Sequence, residues 1–377
     1  MSLGPLPDYP WDELGPVIAR AKAHPDGAVD LSIGSPIDET PEVIRRALAD
    51  AAESHAYPTT LGTLAAREAI AEWFGRRRGV PGLGPEHAML SVGSKELIAF
   101  AAFFLGLGEG DVVVQPSVAY PTYAMGAAFC GATVVSSDDP AQWPEATRLI
   151  WLNSPGNPDG RVLDVPRLRA AVARARELGA VIIGDECYAE LGWDEWADRR
   201  VPCILDPEVT GGDLRGVLAV YSLSKQSNLA GYRAAFAAGD PDVLATLLRG
   251  RKHAGLMAPG PIQAILPAAL ADEAHVAEQR ERYRARREAL RPALEAWGLE
   301  IDRSEAGLYL WGRRRGAEGA PEGDWATLEA LAELGIIAGP GRFYGEAGAD
   351  HVRLSLTATD AAIAAAAERL RAAAAAR

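Results

Sequence analysis

Val217-Leu218-Ala219-Val220-Tyr221-Ser222-Leu223-Ser224-Lys225 is an apolar run that stops on two serines and a lysine. Its length and composition predict a buried strand with polar groups at its carboxyl end. Eight residues beyond Lys225 stands Arg233. Upstream, Ala180-Val181-Ile182-Ile183-Gly184 is a second apolar run, ending on Asp185. From residue 88 onward the pattern repeats. Short β-rich runs are expected at Ala88–Val92, Asp111–Gln115, Thr133–Ser136, Arg148–Leu152 and Ala234–Ala238. Amphipathic stretches such as Ser94–Leu105, Val165–Leu178 and Pro241–Lys252 separate them. Strands alternating with helices imply an α/β fold, a mostly parallel sheet with helices on both faces. Ligands bind such sheets beyond the carboxyl ends of the strands, which is where Asp185 and Lys225 fall.

A lysine, an aspartate and a Ser/Arg set at strand ends are the parts needed to hold pyridoxal phosphate. The aldehyde takes an amine, and an anion keeps the pyridine nitrogen protonated. Read otherwise, Lys225 is a solvated charge and Asp185 a strand-end cap. Tyr188, three residues after Asp185, is either a donor to the ring oxygen or a core aromatic. Asn157, in Asn153-Ser154-Pro155-Gly156-Asn157-Pro158-Asp159-Gly160, lies in a loop of turn formers at a strand end. Gly93-Ser94-Lys95 opens a helix, and free N–H groups there suit a phosphate. With Ser222, Ser224 and Arg233 they make a complete phosphate cup, arginine supplying charge and bidentate geometry. Tyr120 either stacks on a flat ring or packs before a proline turn. Arg353, within Val352-Arg353-Leu354-Ser355, is either an edge-strand residue or a fork for a carboxylate. Gly34 is a turn glycine that can bring backbone close to the same substrate.

The set Tyr57…Gly62, Gly93-Ser94-Lys95, Tyr120…Tyr123, Asn157-Pro158, Asp185…Tyr188, Ser222-Leu223-Ser224-Lys225…Arg233 and Arg353-Leu354-Ser355 resembles the class I/II aminotransferases of PLP fold type I. It keeps that family's order across nearly the whole chain. The resemblance implies that Lys225 is the Schiff-base lysine and proton shuttle, and that Asp185 pairs the pyridinium. It implies Asn157 and Tyr188 on the ring oxygen, Tyr120 stacked on the ring, and Ser94, Lys95 (by its backbone), Ser222, Ser224 and Arg233 on the phosphate. Arg353 would bind the substrate α-carboxylate, with Gly34 and Asn157 beside it. Tyr57 would reach the phosphate of the other subunit of a homodimer. One departure is Asp159, where the family usually has Thr; it is expected to add negative charge near the site mouth.

A closer resemblance, to the actinobacterial N-succinyldiaminopimelate aminotransferases, is carried by Asp8-Tyr9-Pro10-Trp11, His24-Pro25-Asp26-Gly27, Asp185-Glu186-Cys187-Tyr188 with Leu191-Gly192-Trp193-Asp194, Ser222 through Ala230, and Ser304-Glu305-Ala306-Gly307-Leu308-Tyr309-Leu310-Trp311. It implies amino transfer from glutamate to N-succinyl-2-amino-6-oxopimelate, in lysine biosynthesis. Arg251, Lys252 and Arg342 are candidates for a distal carboxylate, or plain surface charges. Competing readings are an aminotransferase for aspartate, alanine or aromatic substrates, a carbon–sulfur β-lyase, and a non-catalytic regulator. The last lacks a basic helix-turn-helix segment.

The 377-residue length suggests two cores: a large one over 41–260, and a small α/β one from 1–40 and 261–377. The small part should carry strands at Leu299–Ile301, Gly307–Trp311, Gly335–Ala338 and Val352–Leu356, with a surface loop over Arg313–Gly323 and an alanine-rich helix from Asp360. A net charge of −13 argues against nucleic acid or an anionic membrane as partner. Small amino and keto acids are the expected partners. Cys130, Cys187 and Cys203 are odd in number and lack metal-ligand spacing, so we expect reduced, buried thiols, no metal and a cytoplasmic protein. Met1 to Glu13 has no basic and apolar leader pattern.

Overall fold

The computed structural model describes residues 10–316 and 319–376. Asp8 and Tyr9, with the rest of the first nine residues, and two positions of the expected charged loop lie outside the described residues.

The alternating segments form a seven-stranded sheet. Its order is Ala88–Val92, Ala234–Gly239, Val217–Ser222, Val181–Asp185, Thr147–Asn153, Val112–Gln115 and Thr133–Ser136. The last five run parallel, and Ala234–Gly239 is antiparallel to both of its neighbours. The two-residue period of the strands sends alternate side chains to opposite faces. Val113, Leu149, Trp151, Ile183, Leu218 and Val220 pack on one side. Ile150, Leu152, Ile182, Val217, Ala219 and Tyr221 pack on the other. Both faces are covered, which is why the strands read as continuous apolar runs. The arrangement is the α/β fold, with a mostly parallel sheet, expected from the sequence. The register sets Asn153 opposite Asp185, and Asp185 opposite Val220. Three neighbouring strands therefore end together, on Asn153, Asp185 and Ser222.

A second, antiparallel sheet runs Gly339–Pro340, His351–Ser355, Tyr309–Arg314, Leu299–Ile301. Its core gathers Leu14, Val17 and Leu31 of the N-terminal segment with Tyr283, Leu290, Leu310 and Val352. Val29–Asp30 also pairs in parallel with Ile336–Ile337.

Several elements differ from expectation. The strand expected at Gly307–Trp311 lies at Tyr309–Arg314, so Arg313 and Arg314 are strand rather than loop. Arg314 reaches this place by lying over the Trp297 ring, 4.5 Å from its centroid. The segment at Gly335–Ala338 divides into Ile336–Ile337 and Gly339–Pro340, which join different sheets. Gly260–Ala271 and Ala274–Ala296 are two helices that follow the large sheet. The first lies beyond the boundary expected at residue 260, yet its Ile262, Ile265, Leu266 and Leu270 pack in the large sheet's core. Cys187 and Cys203 are buried, Cys130 half-buried, and none is in a disulfide. Among the described residues no helix is long and apolar enough to cross a membrane.

Candidate active site

A cavity of about 490 Å³ opens at the carboxyl ends of the central strands. Lys225 enters it from the one-turn helix Leu223–Gln226, directly after its strand. Its Nζ donates to the Gly34 carbonyl, which ties the N-terminal segment to the large sheet. Beside it, the Ser222 and Ser224 hydroxyls are 2.7 Å apart, and the Ser224 N–H donates to Ser222 Oγ at 3.2 Å. Arg233 holds a left-handed φ of 60°, uncommon for a side chain of its size. Its carbonyl accepts from the Gly93 N–H at 2.9 Å. A Cβ on Gly93 would fall 2.0 Å from an Arg233 nitrogen, so this position admits the guanidinium because it is glycine. Ser94 and Lys95 follow at the start of helix Gly93–Phe104. All five cup residues line the cavity.

Asp185 is 6% exposed. Its carboxylate accepts from the Tyr123 hydroxyl at 2.8 Å and from the Cys187 N–H at 3.3 Å. Burial pushes its acidity below the ordinary range, raising the pKa, against the lowering effect of those bonds. Among the described residues no cationic side chain pairs with it. A buried anion without a cation is costly, and a protonated ring nitrogen would offset that cost.

Arg353, 4% exposed, donates to Asn157 Oδ1 at 2.9 Å and to the Ser32 carbonyl at 2.6 Å. Its Nε has no hydrogen-bond partner. The guanidinium lies over Tyr309, 4.0 Å from the ring centroid, and 5.0 Å from that of Tyr344. Asn157 is fixed from below, its N–H donating to Asn153 Oδ1 at 2.7 Å. Asn153 in turn donates to the carbonyls of Asp185, at 2.9 Å, and Pro155, at 3.1 Å. Tyr188 and Tyr309 hydroxyls meet at 3.2 Å. Burial raises the Tyr188 pKa. Burial acts the same way on Tyr309, but Arg353, Lys225 and the bond with Tyr188 outweigh it and bring that phenol below its usual value.

The cavity thus brings together Ser94, Lys95, Tyr120, Asn157, Asp185, Tyr188, Ser222, Ser224, Lys225, Arg233 and Arg353, with the Gly34 carbonyl on Lys225. Tyr57 stands outside it, 97% exposed. Asp159 is not at the mouth. It lines a different cleft with Arg161, Arg303 and His351, and its carbonyl accepts from the Ser304 N–H at 2.7 Å. Its carboxylate folds back on its own loop, accepting from the Arg161 N–H at 3.2 Å. Arg251 and Arg342 both sit in ion pairs, Arg342 at the surface, and neither lines the cavity. Arg251, 1% exposed, is held by both Glu96 oxygens, at 3.1 and 2.8 Å. Arg342 is held by the buried Asp324 carboxylate. Lys252 is exposed on its helix. Sequence reasoning assigned no role to Tyr123, Asn153, Tyr309 or Tyr344. Asn153 had a signal, since it ends a strand as Asp185 does.

The donor set fits pyridoxal phosphate: an unpaired buried carboxylate, a Ser/Arg cup around a glycine, and an amine between them. The class I and II aminotransferase family description matches residues 26–370. The chain is 51% identical, over 97% of its length and 99% of the relative's, to the 4-dedimethylamino-4-oxo-anhydrotetracycline transaminase OxyQ of Streptomyces rimosus. It is 49% identical to a probable aminotransferase of Mycobacterium tuberculosis, over 97% of this chain and 85% of that one. Among solved structures it is similar to a probable N-succinyldiaminopimelate aminotransferase of Thermus thermophilus, at TM-score 0.83 and 30% identity, covering 95% of this chain and 99% of that one. The chain belongs to the class I and II aminotransferases, and its cofactor is pyridoxal phosphate.

Proposed function

We propose that this aminotransferase moves the amino group of glutamate to N-succinyl-2-amino-6-oxopimelate, giving N-succinyl-LL-2,6-diaminopimelate. The observation that carries the amino-acid end is Arg353. It is a buried guanidinium, stacked on aromatic rings, with an unpartnered Nε and no carboxylate bonded to it among the described residues. Such a group binds an α-carboxylate with charge and geometry together. When bound, pyridoxal phosphate supplies the aldehyde and the electron-withdrawing ring. Lys225 then takes and returns the proton at the substrate α-carbon. Asp185 holds a proton on the ring nitrogen. Asn157 and Tyr188 hold the ring oxygen, and Tyr120 covers the ring.

The succinylated acceptor is supported by the sequence motifs and by the likeness to the Thermus thermophilus protein. Ile33, Met125 and Phe129 offer an apolar wall for a methylene chain, and Lys95 stands exposed at the rim. A second reading, a polycyclic ketone as acceptor, is favoured by the identity to the Streptomyces rimosus enzyme and by the aromatic lining of Trp11, Tyr120, Tyr309 and Tyr344. The same proposal makes the enzyme a homodimer in which Tyr57 completes the partner's phosphate cup. It keeps two structural units, with the boundary at residue 260 moved past Ala271 to follow the packing of that helix.

Specificity constants decide between the acceptors. The succinylated keto acid should exceed its unsuccinylated counterpart and the keto acids of aspartate, alanine and phenylalanine. A wide preference for any simple keto acid, or for an anhydrotetracycline-like ketone, removes the pathway assignment.

A further inference from the structure

We propose that Tyr309 is a positioning residue that couples the two ends of the site, its ring carrying the Arg353 guanidinium and its hydroxyl holding the Tyr188 phenol. The inference rests on the roles given above to Arg353 and Tyr188. Tyr309 begins its strand and pairs with Ser355, two residues from Arg353 on the neighbouring strand. That register sets the guanidinium over the ring at 4.0 Å. On the other side the Tyr188 and Tyr309 rings meet edge to face, 5.7 Å apart, with hydroxyls at 3.2 Å. The phenol has a fitted place. A Cβ on Gly34 would lie 2.1 Å from its oxygen, and the Gly34 carbonyl is the group that receives Lys225. Any larger residue at position 34 would collide with the Tyr309 phenol.

Each tyrosine has one proton to donate. With Tyr188 donating its hydrogen bond to a ring oxygen, the contact between the two hydroxyls would persist with Tyr309 as donor. A phenol that accepts a hydrogen bond is itself a better donor. Tyr309 therefore strengthens the hold of Tyr188 on a negatively charged ring oxygen. The other groups facing the pair are Arg353, Lys225, Cys187 and Tyr283. The Arg353 guanidinium is a cation that favours the same charge distribution.

The test uses the cofactor-loaded protein and reads the pH at which its visible band converts, beside KM for glutamate. Tyr309→Phe keeps the ring and loses the hydroxyl. The conversion should move up by about half to one pH unit, the worth of one hydrogen bond, with KM within about twofold. Tyr309→Leu also loses the ring, and KM should rise about tenfold, as for a desolvated cation–π contact. In a Tyr188→Phe background the Tyr309→Phe shift should vanish. An unmoved conversion pH in Tyr309→Phe, or a shift that survives without Tyr188, overturns the coupling through the hydroxyl. Equal KM values for the Phe and Leu variants overturn the role of the ring. If Tyr309→Leu does not fold, Tyr309→Phe alone decides the hydroxyl, and Tyr309→Met, which fills the space without an aromatic face, replaces Leu in the KM comparison with the same expected rise. A wild-type protein that gains no visible band with pyridoxal phosphate overturns the underlying site assignment instead, and this inference with it.

Discussion

The guanidinium of Arg353 donates to the side-chain oxygen of Asn157 at 2.9 Å, joining the strand His351–Ser355 to the loop that follows Thr147–Asn153. One bond therefore links the residue assigned to the substrate carboxylate with the residue assigned to the ring oxygen. Arg353→Lys keeps the charge but loses the planar fork that serves Asn157 and Ser32 at once. KM should rise about a hundredfold for both glutamate and the keto acid, since two charged hydrogen bonds are affected. Rapid-mixing measurements of each half-reaction check this. A defect confined to one half would place the carboxylate elsewhere.

Asp185 makes a prediction about the cofactor-free protein. Burial raises its folded pKa above the unfolded value of 3.8. The folded state thus holds its proton more tightly, and this contribution to stability is lost as pH rises through the raised pKa. Asp185→Asn removes the burden of a buried charge. The cofactor-free variant should melt higher than wild type at neutral pH, with the gap closing as pH falls toward 3.8. With pyridoxal phosphate bound, the order should reverse, because the wild-type anion then has its cation. Melting curves across pH, with and without cofactor, test both signs.

Asp38 behaves in the opposite sense. Burial would raise its pKa, but bonds from Arg286 and Gln279 outweigh that and lower it. Arg286 grips both Asp38 oxygens, at 2.6 and 2.8 Å, from helix Ala274–Ala296. The stability this pair contributes is present above pH 3.8 and lost as pH falls through the lowered folded value. Asp38→Asn should cost about 1.5–3 kcal/mol at neutral pH, and the difference should disappear in acid. A constant difference at all pH values would mean that the ion pair is not its source.

Tyr57 gives a test of assembly. Inactive Lys225→Ala and severely impaired Tyr57→Ala subunits, mixed and re-associated, should regain activity through heterodimers with one intact site. Full activity from a monomer at assay concentration would contradict the shared site.

Much of this was legible in the sequence for a physical reason. A parallel sheet buried on both faces writes apolar runs, and its ligand site lies where those runs end. Lys225, Asp185 and Asn153 all sit at such ends. Arg353 and Arg251 show where the pattern falls silent. Both are arginines near apolar residues, yet one faces the cavity and the other clamps Glu96. Tertiary placement alone separates them. Asp159 was misjudged because two residues of turn geometry decide which side of the loop it faces. Tyr309 reads as one aromatic in an apolar strand, and its hydroxyl contact depends on the pairing with His351–Ser355. The strand at Arg313 and Arg314 looked like loop because charge was read as exposure, whereas carboxylates and an indole ring neutralise it.

The most direct test of Lys225-centred amino transfer is a single turnover without acceptor. Cofactor-loaded enzyme mixed with glutamate should lose its visible band and release a single equivalent of 2-oxoglutarate per subunit, with no free ammonia. Adding N-succinyl-2-amino-6-oxopimelate should then restore the band, and Lys225→Ala should do neither at a comparable rate. Ammonia release in step with product, or equal rates in the Lys225→Ala protein, would contradict the account.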